Sequence, residues 1–307
     1  MAIAVVDMGT HTFRLLIADV LRGKIKTIYS ENKTVQLGEG FSGKKFIKPA
    51  GMERAIVALS SFQRTMKQYD IGRLSVIGTS AMREAVNQKP FLLLVQEALG
   101  WSVDVISGEE EARLTFLGAN QVIQNREGPM LLVDIGGGST EFIVANGEQP
   151  RYITSLPLGV IPLMEQYRGE IDPLKSCNAM RFAIKQVIQK IAHALPIGVG
   201  IFAGTAGTVT TLAAMDQKLT RYDTEKINRY MLCQDAVREI LKKILAMPIQ
   251  KRLSLPGLES GREEVIVPGI LILLTIMEVC QYDLVYASEY GVREGLLIDR
   301  VRSNGHL

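Results

Sequence analysis

The amino-acid sequence predicts an α/β protein in which one βββαβαβα lobe is built twice around a cleft. Three observations carry this. AIAVVDMGTHTFRLLIADV (residues 2–20) and MLLVDIGGGSTEFIVAN (130–146) each read strand, Asp, Gly-bearing turn, strand, and they set Asp7 and Asp134 127 positions apart. IGTSAMREA and AGTAGTVTT set Thr79 and Thr205 126 apart, almost the same interval. At 307 residues the chain also exceeds the size at which a single core stops growing.

The elements follow in order from periodicity. Strands are predicted at about Ala2 to Asp7, Thr12 to Val20 and Lys24 to Tyr29, from apolar runs bounded by turn residues. A helix from about Ala50 to Tyr69 follows Pro49 and carries Met52, Ile56, Leu59, Phe62, Met66 and Tyr69 at spacings of three and four, which makes one apolar stripe. Strand, helix, strand and helix complete the first lobe. The pattern restarts at Met130 with strands to Asp134, Thr140 to Ala145 and Arg151 to Thr154. It continues with a helix from Pro173 to Leu195, a strand from Gly200 to Ala203 and a helix from Thr208 to Met215. A helical insertion at about 217–281 precedes a strand at Leu284 to Ala287 and a last helix, which is free to pack back on the first lobe. The lobes are expected at 1–126 and 127–307.

Composition removes several function classes. With 47% hydrophobic and 22% charged residues the chain folds rather than staying disordered. Thirty-five Lys+Arg against 32 Asp+Glu leave +3, too slight to indicate a sequence-specific nucleic-acid partner or a membrane surface. The apolar run from Val265 to Met277 contains Pro268 and Gly269 and is shorter than the roughly 20 residues a membrane helix needs, so it is read as a buried helix. Cys177, Cys233 and Cys280 are odd in number and widely spaced, which suggests neither disulfides nor zinc. Together with an N-terminus that opens directly on a core strand, this makes the cytoplasm the expected location.

In an open sheet with crossover helices, ligands bind at the carboxyl ends of the strands, where every Gly/Thr/Ser turn of this chain falls. Gly136, Gly137 and Gly138 let backbone amides approach an oxyanion, and Ser139 and Thr140 add hydroxyls. Gly9, Thr10 and His11 form the matching first turn. Thr79 and Ser80 begin one strand-to-helix loop, and Gly204, Thr205 and Gly207 form its sister. Asp7 and Asp134 each end a strand at the mouth of the cleft, where a carboxylate either holds Mg2+ or bonds its own turn.

In SGEEEARL, Ser107 and Glu110 fit a capping box, and Glu109 and Arg113, four apart, can pair on one face. That leaves Glu111 with no structural task in the local sequence, and it is taken as general base. Glu141 is taken to position the water or the metal. Arg83 stands in a first helical turn, where a cation opposes the dipole. It reads as a phosphate ligand or as a partner of Glu84. Lys44, Lys45 and Lys48 read as a solvated loop, and His193 and His306 as surface residues.

Together DMGTHTFRLLI, GTSAMREA, ISGEEEARL, DIGGGSTE, GTAGTVTTLA, GREEVIVPG and SEYGVREGLL resemble the exopolyphosphatase and guanosine pentaphosphate phosphohydrolase family over nearly the whole chain. The likeness is to its short form, without an added C-terminal helical domain. The resemblance implies the duplicated actin-like (ribonuclease H-like) fold shared with Hsp70 and sugar kinases. It also implies Mg2+-dependent release of terminal phosphate from polyphosphate or pppGpp, and a homodimer among the expected assembly states. By motif position Glu111 matches the family's base, Arg83 its phosphate-binding arginine, and Asp134 and Glu141 its metal and water carboxylates. The family's usual Gly-Ser-Asn in the first loop is here Gly9, Thr10, His11. An ATP-using kinase or ATPase and a non-catalytic sensor of polyphosphate or guanosine polyphosphates are the rival readings.

Overall fold

The structure is a computed structural model that describes residues 2–21, 24–41, 43–124, 128–169 and 172–303. Contacts divide the chain into two compact units, one running up to Gly118 and resuming at Val292, the other Ala119–Gly291. The boundary expected at 126/127 and His306 lie outside the described residues.

The first unit contains β1 (Ala2–Met8), β2 (Thr12–Leu21), β3 (Lys24–Thr34), α1 (Pro49–Met66), β4 (Ile71–Gly78), α2 (Ser80–Glu84), α3 (Gln88–Leu99), β5 (Asp104–Val105) and α4 (Gly108–Ala119). Its sheet order is β3-β2-β1-β4-β5, with β1 antiparallel to β2 and parallel to β4. Side chains of the central strand alternate between two cores, as a period of two requires. Ala4, Val6 and Met8 join Leu59, Phe62 and Phe91, while Val5 joins Leu16, Ile77 and Leu114. Asp7 therefore shares the Val5 face.

The second unit contains β6 (Pro129–Ile135), β7 (Thr140–Asn146), β8 (Gln149–Leu156), α5 (Val160–Tyr167), α6 (Pro173–Gln189), β9 (Ile201–Thr205), α7 (Ala206–Asp216), α8 (Thr224–Ile227), β10 (Met231–Cys233), α9 (Gln234–Leu245), α10 (Ile266–Cys280) and β11 (Leu284–Ala287). The order β10-β11-β9-β6-β7-β8 repeats the first sheet strand for strand and adds β10 at one edge. The apolar run expected as a buried helix is α10, whose residues 266–277 are all buried. No helix among the described residues is long and apolar enough to cross a membrane. The last helix, α11 (Val292–Ser303), closes the first unit, with Val292, Leu296 and Leu297 packed on Val5, Leu16 and Leu114.

Several elements differ from the sequence reading: α6 ends at Gln189 and not Leu195, and two helices, α2 and α3, stand between β4 and β5 where one was expected. β3 runs to Thr34 instead of ending near Tyr29, because as an edge strand it carries polar residues and lacks an apolar signature. α5 was not expected, being one short helix with Pro162 in its first turn. β10 has only three residues, too few for any periodicity.

Candidate active site

In the first unit β1 and β4 run side by side, so their carboxyl ends bring Asp7, the Gly9-Thr10-His11 turn and the Thr79-Ser80 loop together. The Thr79 amide donates to the Met8 carbonyl at 3.4 Å, and the Ala81 amide donates to the Thr10 hydroxyl oxygen at 3.2 Å. A Cβ on Gly9 would lie 2.8 Å from the Thr12 carbonyl oxygen, which is why the turn needs glycine there. His11 is buried, and its carbonyl accepts from the Val35 and Gln36 amides at 2.9 and 2.8 Å.

Asp7 is buried opposite Arg14, with Oδ2 3.8 Å from the guanidinium. Its Oδ1 is also buried and has no hydrogen-bond partner among the described residues. Burial raises the Asp7 pKa, Arg14 and Arg293 pull it back, and Glu294 pushes it up.

Arg83 Nη1 donates to the Ile106 carbonyl at 3.0 Å and to Glu111 Oε2 at 3.1 Å. This revises the local reading of SGEEEARL, because Glu111 is ion-paired with a residue 28 positions away. Arg83 does not take Glu84, which instead receives Lys45 at 2.7 Å and the Ser80 hydroxyl at 3.1 Å. The Ser80 proton is thus committed inside the protein, while Lys45, like Lys44 and Lys48, is exposed as the solvated-loop reading expected and makes its pair at the surface. Ser107 Oγ accepts from the Glu110 amide at 3.1 Å, as a helix cap should. Arg113 pairs with Glu110 through two bonds of 2.7 and 2.8 Å and not with Glu109, and it also reaches Asp299 at 2.8 Å.

The second unit repeats the hairpin with one change of sign. Asp134 faces Glu141 across β6 and β7, whereas Asp7 faces Arg14 in the first unit. Both carboxylates are buried. The two are hard oxygen donors of the kind that could hold a cation such as Mg2+, which commonly takes one or two carboxylates besides water and phosphate. Ser139 and Ser155 hydroxyls each donate to Glu141 Oε1 at 2.7 Å and fix its orientation. The Ser139 hydroxyl, expected to face a phosphate, here donates to Glu141, and Ser155 is a residue the sequence reading missed. Thr140 Oγ1 is committed as well, donating to the Leu158 carbonyl at 2.5 Å.

Gly136 meets the Ser139 carbonyl as Gly9 meets Thr12, with a Cβ distance of 2.9 Å. Neither glycine needs a left-handed φ, so close approach is the reason for both. Gly159 is packed so tightly on the turn that a Cβ would overlap Gly138 and the Gly137 carbonyl. The amides that follow it, Val160 and Ile161, donate to Gly136 and Gly137 at 3.2 and 2.9 Å. Gly38 plays the same part in the first unit. Its amide bonds the Thr10 carbonyl at 3.0 Å, and a Cβ would overlap the Thr10 methyl. A Leu-Gly after the third strand, Leu37-Gly38 and Leu158-Gly159, was the available sequence signal for these anchors.

Thr205 lies beside Asp134 in the parallel register of β6 and β9, and its hydroxyl donates to the Tyr290 carbonyl at 3.2 Å. The Ser288 amide bonds Gly204 at 2.9 Å, just as the Ile106 amide bonds Gly78 at 3.1 Å. Ala206 holds φ at +64°, and the Arg262 guanidinium, pinned by Glu259 at 2.7 Å, covers Gly207.

A sequence model of the Ppx/GppA phosphatase family matches residues 16–304, nearly the whole chain. The chain belongs to the Ppx/GppA phosphatase family. Ppx/GppA relatives include exopolyphosphatase 2 of Mycobacterium tuberculosis, 28% identical, with 96% of this chain and 97% of the relative covered. The crystal structure of the Aquifex aeolicus family member is 27% identical with a TM-score of 0.82, covering 100% of this chain and 99% of that one. An exopolyphosphatase structure from Cytophaga hutchinsonii is 27% identical with a TM-score of 0.89, covering 99% and 98%. The two mixed sheets are thus the actin-like fold of the Ppx/GppA proteins, as the duplicated strand order implied.

Proposed function

We propose that this chain is a Mg2+-dependent phosphohydrolase that releases terminal orthophosphate from inorganic polyphosphate, from pppGpp or from both. The carrying observation is the 3.1 Å pair of Arg83 with a nearly buried Glu111, a guanidinium and a carboxylate held together beyond the ends of the paired parallel strands β4 and β5. Membership of the Ppx/GppA family and the exopolyphosphatase relatives support the substrate class.

Arg83 would turn its N–H groups to the oxygens of the incoming phosphate, for which a planar guanidinium is well shaped. Glu111 would take a proton from the attacking water while the water oxygen bonds the terminal phosphorus. The bridging P–O bond then breaks and its electron pair stays with the shortened chain. In the first unit, backbone amides of the Gly9-His11 turn, lined by Thr10 and Thr79, would hold phosphate oxygens, and in the second unit those of the Gly136-Gly138 and Gly204-Gly207 turns, lined by Thr205, would do the same. Asp134 and Glu141, opposite each other on β6 and β7, would hold the metal. When bound, Mg2+ supplies positive charge against the phosphate oxygens.

The test is phosphate release from polyphosphate and from pppGpp, with Mg2+ and with chelator, for wild type and Glu111→Gln. The expected loss for the variant is roughly 10²- to 10⁴-fold. Full release by a folded Glu111→Gln protein would refute the base assignment. Acceptor-dependent ATP consumption would point to a kinase, and binding without turnover to a sensor.

A further inference from the structure

The helix that carries Glu111 is braced by a segment that rejoins the first unit only at the end of the chain. α11 buries seven consecutive residues, Val292 to Ile298, including the charged Arg293 and Glu294. Burying such charges is expensive unless they are engaged, and Arg293 bonds the Ser30 hydroxyl at 3.2 Å and lies 3.5 Å from Glu294.

Against α4 the approach is closer still. A Cβ on Gly295 would sit 2.6 Å from the Leu114 carbonyl carbon and 3.1 Å from its Cα, and would overlap its oxygen. Those are backbone atoms, which cannot swing aside. One turn further along α11, Asp299 takes Arg113 at 2.8 Å, and Arg113 in turn grips Glu110. On α4 the contacts of α11 thus fall on residues 113 and 114, and Arg113 passes them to Glu110, so that the turn flanking Glu111 is held.

We infer that α11 is the positioning element for Glu111, with the Gly295 seat on Leu114 and the Asp299–Arg113 pair setting where that carboxylate stands against Arg83. This rests on the base role proposed above. Gly295→Ala would push the two helices roughly 1 Å apart or more, and a misplacement of that size costs about 10²-fold in rate. Alanine is the better helix former, so a loss cannot come from a weakened α11.

The experiment is a double-mutant cycle on the full chain, with inorganic polyphosphate and Mg2+ as probe and α4 amide exchange as a second readout. Gly295→Ala should lower kcat about 100-fold with KM nearly unchanged, and it should speed exchange at Glu111 to Leu114. In the Glu111→Gln background it should cost less than about twofold, since residues acting through one group are not additive. Asp299→Asn, which leaves the seat intact, should lower kcat by about 2- to 10-fold with the same non-additivity, and it decides the matter if Gly295→Ala does not fold. Equal losses in both backgrounds, or an unchanged kcat in the wild-type background, would overturn the inference. Glu111→Gln at wild-type rate would instead remove the base role itself, so the two failures are distinguishable.

Discussion

Replacing Gly159 by alanine is expected to damage the DIGGG turn from behind. The new methyl would overlap Gly138 and the Gly137 carbonyl, all backbone, so restoring ordinary contact requires roughly 1 Å of movement by the turn or by the start of α5. Either movement strains the Val160–Gly136 and Ile161–Gly137 hydrogen bonds, now 3.2 and 2.9 Å. At about 0.5–1.5 kcal/mol each, their loss and the overpacking together cost on the order of 2 kcal/mol. In a unit of this size that lowers the melting temperature by about 4–8 °C. Phosphate release should fall with it, because the displaced amides are those proposed to hold substrate. Gly169→Ala is the control: it is exposed, with nothing within 4 Å of the added atom, and should melt with wild type. Calorimetry and a phosphate-release assay decide. Gly159→Ala with unchanged melting and unchanged rate would refute the close-approach argument for this glycine.

Two further outcomes are expected. Because burial outweighs Arg14 and Arg293, Asp7 keeps its proton to a higher pH in the folded chain than its ordinary 3.8. Its stabilising share is therefore present below pH 4 and lost as pH rises through the folded value. In metal-free buffer Asp7→Asn should melt above wild type at pH 7, with the gap closing toward pH 4, and a gap independent of pH would contradict the burial argument. Ala206, held at φ +64°, pays for a left-handed backbone that glycine adopts without penalty, so Ala206→Gly should raise the urea midpoint by the equivalent of about 1 kcal/mol at constant m. A lower midpoint would mean that the alanine methyl contributes more packing than the strain costs.

The duplication was legible because strand-Asp-Gly-strand is a local pattern, and local patterns survive in one dimension. What failed was allocation of hydrogen bonds. Ser139 looked like a phosphate donor, yet its carboxylate acceptor lies two residues on, and Ser155 joins the same oxygen from the next strand. The partner found for Glu111 was out of view in its own segment, since Arg83 arrives from the end of a neighbouring parallel strand. Glu109 was read as the partner of Arg113 from its spacing of four, but Arg113 takes Glu110, and Asp299, 186 positions away, helps to hold that guanidinium on the Glu110 side. Arg262 and Gly159 act by contact with turns distant in sequence, which no periodicity encodes.

Gly38 follows Asp7 by 31 positions, whereas Gly159 follows Asp134 by 25, yet each returns to buttress its own turn. The chain thus holds two answers to one anchoring problem, reached with outer arms of unequal reach. Arm length is accordingly open to variation in this architecture, and insertions there should be absorbed, while the single small residue at the point of return is not negotiable.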